Sequence, residues 1–243
     1  MISLNRNIQL ELIVKNRNTI WGRNDRKNFS RRTMEGVGEI SINDSFGSFI
    51  FQLTLESDNK FFLEVGTWNG LGSTACFARG LEARVDDAVF FSLEVNSEKW
   101  AHADKLYKDE NRIHILNEAI LRAPPSRINL LRFFPHLIKH RQRREWLRVD
   151  LENMKDCRCF LDRTDVPEQF DVVLLDGGEY TTYFEYQMLR DRAKYLLLDD
   201  VKAEKCKRIR RELLDSNRWK LIAEDLQLRN GWSAFKVKQV TDR

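Results

Sequence analysis

The chain has 243 residues, about two fifths of them hydrophobic and a third charged, with a net charge of +4. That length supplies one sizeable core and predicts one domain with room for an appendage. No apolar run approaches the roughly 20 residues of a membrane span. The polar start at Asn5, Arg6 and Asn7 lacks a signal-peptide core, and Cys76, Cys157, Cys159 and Cys206 show no disulfide pattern, so a cytoplasmic protein with reduced thiols and no membrane partner is expected.

Residues 1–35 are polar and rich in Asn and Arg, with Trp21 as their one large apolar anchor. They read as an N-terminal arm or lid, and such an arm would suit a homodimer. From 36 to 243 the pattern is that of a single domain. Phe46, Ile50, Phe51 and Leu53 fall at helical spacing within 45–55, with Asn43, Asp44 or Ser45 as the cap.

Strands are predicted at Phe61–Val65, Ala88–Glu94, Arg112–Asn117, Asp171–Asp176, Lys194–Asp199, Trp219–Glu224 and Ser233–Lys238. Helices fall between them near 71–83, 97–108, 181–191 and 203–215. This alternation predicts an α/β fold, a Rossmann-like, doubly wound and mostly parallel seven-stranded sheet with helices on both faces. Ligands of such sheets lie beyond the carboxyl ends of the strands.

The alternation breaks between Ala123 and Pro167. Pro124 and Pro125 stop one element, and Leu130, Leu131, Phe134, Leu137 and Ile138 predict a helix bent near Pro135. A basic run, KHRQRREW, follows. This helical insertion at about 123–167 is expected to cap a substrate pocket. Its basic residues could meet phosphates, but a solvated helix face explains them equally well and a nucleic-acid partner is not expected.

The chain is organised around Phe61–Thr74, FFLEVGTWNGLGST: a buried strand, a turn with Gly66, Gly70 and Gly72, then a helix start. Glycines allow close approach of a ligand to the backbone, and the helix start offers free N–H groups. The next strand ends on Glu94, the position from which an acid takes ribose hydroxyls. A nucleoside cofactor is the reading. Trp68 stands where a dinucleotide fingerprint needs its second glycine, which argues against NAD. Glu64 instead suits a cationic ligand such as the methionine moiety of S-adenosylmethionine.

Strand four ends VVLLDGGEY and strand five YLLLDDV, so Asp176, Asp199 and Asp200 fall on one edge of strands expected to be neighbours. Like charges that close require a compensating cation, arginine or shared proton. An all-oxygen set suits Mg²⁺, or Mn²⁺ or Ca²⁺, rather than zinc.

Glu64–Gly70 resembles motif I of class I S-adenosylmethionine-dependent methyltransferases in its E-x-G-x-x-x-G form. Together with D-G-x-x-Y and L-L-L-D-D, the chain from Gly38 to Lys238 resembles metal-dependent sugar O-methyltransferases of the macrocin and novobiocin biosynthetic type. The resemblance implies a divalent ion on Asp176, Asp199 and Asp200 and methyl transfer to a sugar hydroxyl of a carbohydrate or small-molecule acceptor. It also implies Glu64, Gly66, Thr67 and Gly70 around the methionine end, with Ser73, and Asn117 and Glu118 near the adenine. Cation–π contact would let Trp68 flank the sulfonium, and core packing explains it equally well. That family tends to carry an acid two residues after the strand-four Asp, where this chain has Gly178. Glu179 is then the expected base, ahead of Lys205 or Tyr180. A catechol-like phenol acceptor, an RNA 2′-hydroxyl or a non-catalytic nucleotide-binding role are the alternatives.

Overall fold

The computed structural model describes residues 40–238, so the arm expected at 1–35 lies outside the described residues. The first helix, α1 (Ser45–Leu55), starts where the Asp44 carboxylate accepts the Gly47 N–H at 2.8 Å, and it buries Phe46, Ile50 and Leu53 on one stripe. Strand and helix then alternate: β1 (Phe61–Val65), α2 (Ser73–Glu82), β2 (Val89–Leu93), α3 (Ser97–Tyr107) and β3 (Ile113–Leu116). After the insertion come β6 (Phe170–Leu175), α6 (Thr182–Leu189), β7 (Ala193–Leu198), α7 (Glu204–Leu214), β8 (Trp219–Asp225) and β9 (Trp232–Val237). The insertion comprises α4 (Arg127–Phe133), a 3₁₀ turn at Pro135–Ile138 and α5 (Arg141–Lys155), so the chain breaks at Pro135 as expected. It is clasped by two short parallel strands, β4 (Glu118–Ala119) and β5 (Arg158–Cys159), too short for any periodic signal.

Among the described residues the sheet has seven strands in the order β3-β2-β1-β6-β7-β9-β8, of which β9 alone runs antiparallel to its neighbours. Residues alternate between its faces because the strand period is two. Phe62, Phe90, Val172, Leu174 and Leu197 pack with α1, α2 and α3. Leu63, Phe91, Val173, Leu175 and Leu196 pack with α6, α7 and the insertion. Burial on both faces accounts for the uninterrupted apolar runs.

The register decides where the chemistry lies. Val65 is paired with both Leu93 and Leu175, and Leu175 with Leu198. The next residues, Gly66, Glu94, Asp176 and Asp199, therefore leave the sheet side by side along one edge.

Candidate active site

The loop after β1 is built by left-handed backbone. Gly66 has φ 102°, and its N–H and that of Thr67 both donate to the Leu93 carbonyl, at 2.9 and 3.1 Å. A Cβ at Gly66 would lie 2.2 Å from the Asp176 carbonyl oxygen, so the two strand ends touch because this residue has no side chain. Trp68, at φ 52°, is held in the same region by its N–H bond to Glu94 Oε2 at 2.8 Å, and its indole is half exposed. Tyr107 fixes Gly70 by donating to its carbonyl at 2.6 Å.

Glu64 does not face this cleft. Strand alternation sends it toward α2, where it is fully buried and accepts hydrogen bonds from the hydroxyls of Ser73, Thr74 (2.6 Å) and Ser92 (2.5 Å). Burial pushes its carboxyl up to about 7, against the pull of those three hydroxyls. Its work in this arrangement is to tie the glycine loop and the start of α2 to β2.

Two cavities open at the sheet edge and share Gly66, Trp68 and Asp176. One, of about 330 Å³, runs from Glu94 past Val95, Ile120 and Met154 to Gly177 and Gly178. Glu94 stands ready in it: Trp68 N–H holds one oxygen, Asn96 N–H the other at 2.8 Å, and burial raises the carboxyl in spite of them. Glu118 lines the same cavity, with Oε1 on Arg163 at 3.1 Å and Oε2 buried without a hydrogen-bond partner. Asn117 lines neither cavity; its amide donates to the Glu94 carbonyl at 2.7 Å and so supports that strand end.

The insertion was expected over the substrate pocket. Among the described residues it instead contributes Asp150 and Met154 of α5 to the Glu94 cavity and nothing to the other.

The second cavity, of about 600 Å³, holds Thr67, Asn69 and Ser73 on one side and Asp176, Asp199 and Asp200 on the other. One oxygen from each aspartate lies within 4.8 Å of the others, so this set could hold a hard cation. Lys205, the second residue of α7, already bridges Asp176 and Asp200, its ammonium 2.8 Å from Asp200 Oδ2. Arg229 stands 3.9 Å from Asp199 while bound to Asp44 at 2.8 Å, and Asn230 donates to Asp200 at 3.0 Å.

The charges sort themselves accordingly. Burial would lower the Lys205 ammonium, but Asp176 and Asp200 outweigh it and hold the group well above its ordinary range. Lys205 is thus a fixed cation here rather than a proton acceptor. For Asp200, burial acts upward, but Lys205, the Asn230 amide and Arg229 together outweigh it and leave the carboxyl low. Asp199 is not touched by Lys205 and has Arg229 only at 3.9 Å: burial, then the charges of Asp176 and Asp200, push it up to about 7. Glu179 turns away from both cavities, its Oε1 accepting the Glu204 N–H at 3.1 Å at the start of α7, where the helix end favours an acid.

Sequence reasoning missed Asp150 and Glu185, yet both left a signal. Asp150 sits among Leu147, Leu151 and Met154, and Glu185 among Thr182, Tyr186 and Leu189, each an acid within the buried stripe of a helix. Burial pushes Asp150 up to about 6 and Glu185 up to about 8. A raised carboxyl favours folding below its unfolded pKa, and that contribution is lost as pH climbs through the folded value. Glu185→Gln is therefore expected to flatten the decline of stability between about pH 4.5 and 8, as read by urea titrations across that range.

No family model matches the sequence, and no curated protein matches it. Solved structures do match over nearly the whole chain. A methyltransferase of Podospora anserina, PaMTH1, bound to S-adenosylhomocysteine, shares 12% identity over 98% of this chain and 99% of its own, with a TM-score of 0.53. An O-methyltransferase from Bacillus cereus, also with S-adenosylhomocysteine, shares 13% over 95% and 97%, with a TM-score of 0.53. TomG, an O-methyltransferase of tomaymycin synthesis from Streptomyces achromogenes, in complex with S-adenosylmethionine, shares 11% over 98% and 100%, with a TM-score of 0.51. At such identities the likeness is one of architecture, and with the strand order and glycine loop above it means that the chain has the Rossmann-like fold of class I methyltransferases.

Proposed function

We propose that this chain is an S-adenosylmethionine-dependent O-methyltransferase that uses a divalent cation and acts on a sugar hydroxyl. The observation that carries the reading is the meeting of Asp176, Asp199 and Asp200 at the rim of the cleft under the glycine loop. The donor set fits Mg²⁺ or Mn²⁺: all ligands are oxygens, and Asp199 is short of positive charge even with Lys205 in place. Asp176, Asp199 and Asp200 would hold the ion. When bound, it supplies Lewis acidity that eases loss of the hydroxyl proton and a fixed place for the oxygen.

The chain's own residues do the rest. Glu94 takes the ribose hydroxyls, and the backbone of Gly66 and Thr67 lets the methionine end lie close against β1. The exposed indole of Trp68 borders both cavities, where a sulfonium would be attracted to its face. Transfer breaks the bond from sulfur to methyl as the bond from acceptor oxygen to methyl forms; the hydroxyl proton passes to solvent, and S-adenosylhomocysteine is left. Lys205 keeps Asp176 and Asp200 in position throughout.

The test is incubation of purified protein with methyl-labelled S-adenosylmethionine, a panel of glycans and phenols, and either Mg²⁺ or a chelator. Label on a glycan that disappears with chelator is expected. Label confined to catechols would change the acceptor class, and chelator-insensitive turnover would remove the metal from the reaction.

A further inference from the structure

Methyl transfer to a hydroxyl needs a group that takes the proton, and the side chains first expected in that role are engaged elsewhere. Glu179 accepts the Glu204 N–H at the start of α7, and Lys205 is a fixed cation between Asp176 and Asp200. Tyr180 is 1% exposed, and burial raises its hydroxyl above the ordinary tyrosine range. The group sought must stand beside the meeting point of the two cavities and must also communicate with water.

That meeting point is bounded by Gly66, Trp68 and Asp176. Asp176 is followed by Gly177 and Gly178, and acids from other elements take the space that side chains there would fill. A Cβ at Gly178 would lie 2.8 Å from Asp150 Oδ2 and 2.7 Å from Thr181 Oγ1, and one at Gly177 would lie 2.8 Å from Glu185 Oε2. The insertion helix α5 thus delivers a carboxylate to the loop that leaves Asp176.

The two acids differ in what they can do. Glu185 is 3% exposed behind Gly177, with Oε2 buried and unpartnered, and burial pushes its carboxyl up to about 8, so it keeps its proton at neutral pH. Asp150 lines the same end of the cavity and is partly exposed. Burial pushes its carboxyl up to about 6, so it is ionised at neutral pH yet basic enough to take a proton. Lys99 of α3 and Lys205 of α7 favour its charge; Glu94 beyond β2, Glu179 after β6 and Glu185 of α6 oppose it.

We propose that Asp150, carried in by the insertion helix, is the general base of the transfer and the relay by which the hydroxyl proton reaches solvent. The proposal rests on the O-methyltransferase reading above and adds to it a catalytic residue from outside the sheet edge. The O–H bond breaks toward Asp150 Oδ2 as the bond from oxygen to methyl forms and the bond from sulfur to methyl breaks. The neutral carboxyl then gives its proton to water, and S-adenosylhomocysteine remains.

The test uses the full chain with MgCl2, methyl-labelled S-adenosylmethionine and the glycan panel, at pH values from about 5 to 9. On the glycan labelled fastest, native kcat/KM should climb with pH and level off above about 6. Asp150→Asn should lower kcat by about a hundredfold or more and remove that break, so that its rate goes on climbing. Asp150→Glu should keep a break and recover part of the rate. Calorimetry should find S-adenosylhomocysteine and Mg²⁺ bound by Asp150→Asn as tightly as by the native protein. A native rate in Asp150→Asn overturns the assignment, and so does a loss of S-adenosylhomocysteine binding that matches the loss of rate. A break that persists in Asp150→Asn and vanishes in Glu185→Gln hands the proton to α6 and overturns it too. If the native protein binds no S-adenosylhomocysteine or labels no glycan, the reading beneath the proposal fails, and the base falls with it.

Discussion

Lys205→Met is expected to destabilise the protein by about 3–5 kcal/mol in the absence of divalent ions, because it strips Asp176 and Asp200 of the one cation in direct contact with both among the described residues. Lys205 is 8% exposed and its ammonium contacts both Asp176 and Asp200, and Asp199 lies close enough for its own charge to add to theirs. Methionine keeps most of the length of the stem and removes the charge alone. For a domain of this size the loss corresponds to a fall in Tm of roughly 6–20 °C. Magnesium should restore part of it, by about 2.7 kcal/mol at a hundred times its Kd, since a bound ion replaces the missing charge. Urea titrations of both proteins with MgCl2 and with EDTA measure this directly. A variant as stable as the native protein in EDTA would show that the aspartates are not ionised together. One that magnesium fails to rescue would show that they do not hold the ion.

Gly66→Ala should be nearly as damaging and for a different reason. At φ 102° an L side chain is strained, and the added methyl would lie 2.2 Å from the Asp176 carbonyl oxygen and 2.6 Å from its carbonyl carbon. Backbone cannot retreat there without breaking the Asp176 N–H bond to the Val65 carbonyl, which is 2.9 Å long and belongs to the pairing of β1 with β6. The combined cost is about 2–6 kcal/mol. Binding of S-adenosylmethionine should fall by more than tenfold in any protein that remains folded, as calorimetry would register. Alanine at Gly72, which caps α2 with φ −92° and so lies outside the left-handed region, provides the comparison.

Much of this edge was legible because parallel strands buried on both faces leave uninterrupted apolar runs, and the polar residue that ends each run marks the edge. Glu94, Asp176, Asp199 and Asp200 were found in that way, and the register brings them out together. Glu64 was misplaced because position in a motif does not report facing. The period of two sends it beneath the loop to Ser73, Thr74 and Ser92, which only the packing of α2 reveals. Lys205 was legible as a charge but not as a cation aimed at two aspartates, since that depends on how α7 crosses the end of β6. Arg229 and Asn230 carry no local signal at all. They reach Asp199 and Asp200 because the hairpin of β8 and β9 docks with β9 innermost, a choice of strand order that no stretch of sequence states.

That strand order also governs how the chain must assemble. β9 is later in the sequence than β8 yet lies between it and β7, so the hairpin has to form and seat as a unit. Until it does, the Ala193–Leu198 backbone carries open hydrogen-bonding groups along an apolar strand, the kind of edge that captures strands from other molecules. Refolding at high protein concentration should consequently favour exchange of this hairpin between two chains, and dilution should favour the monomeric closure.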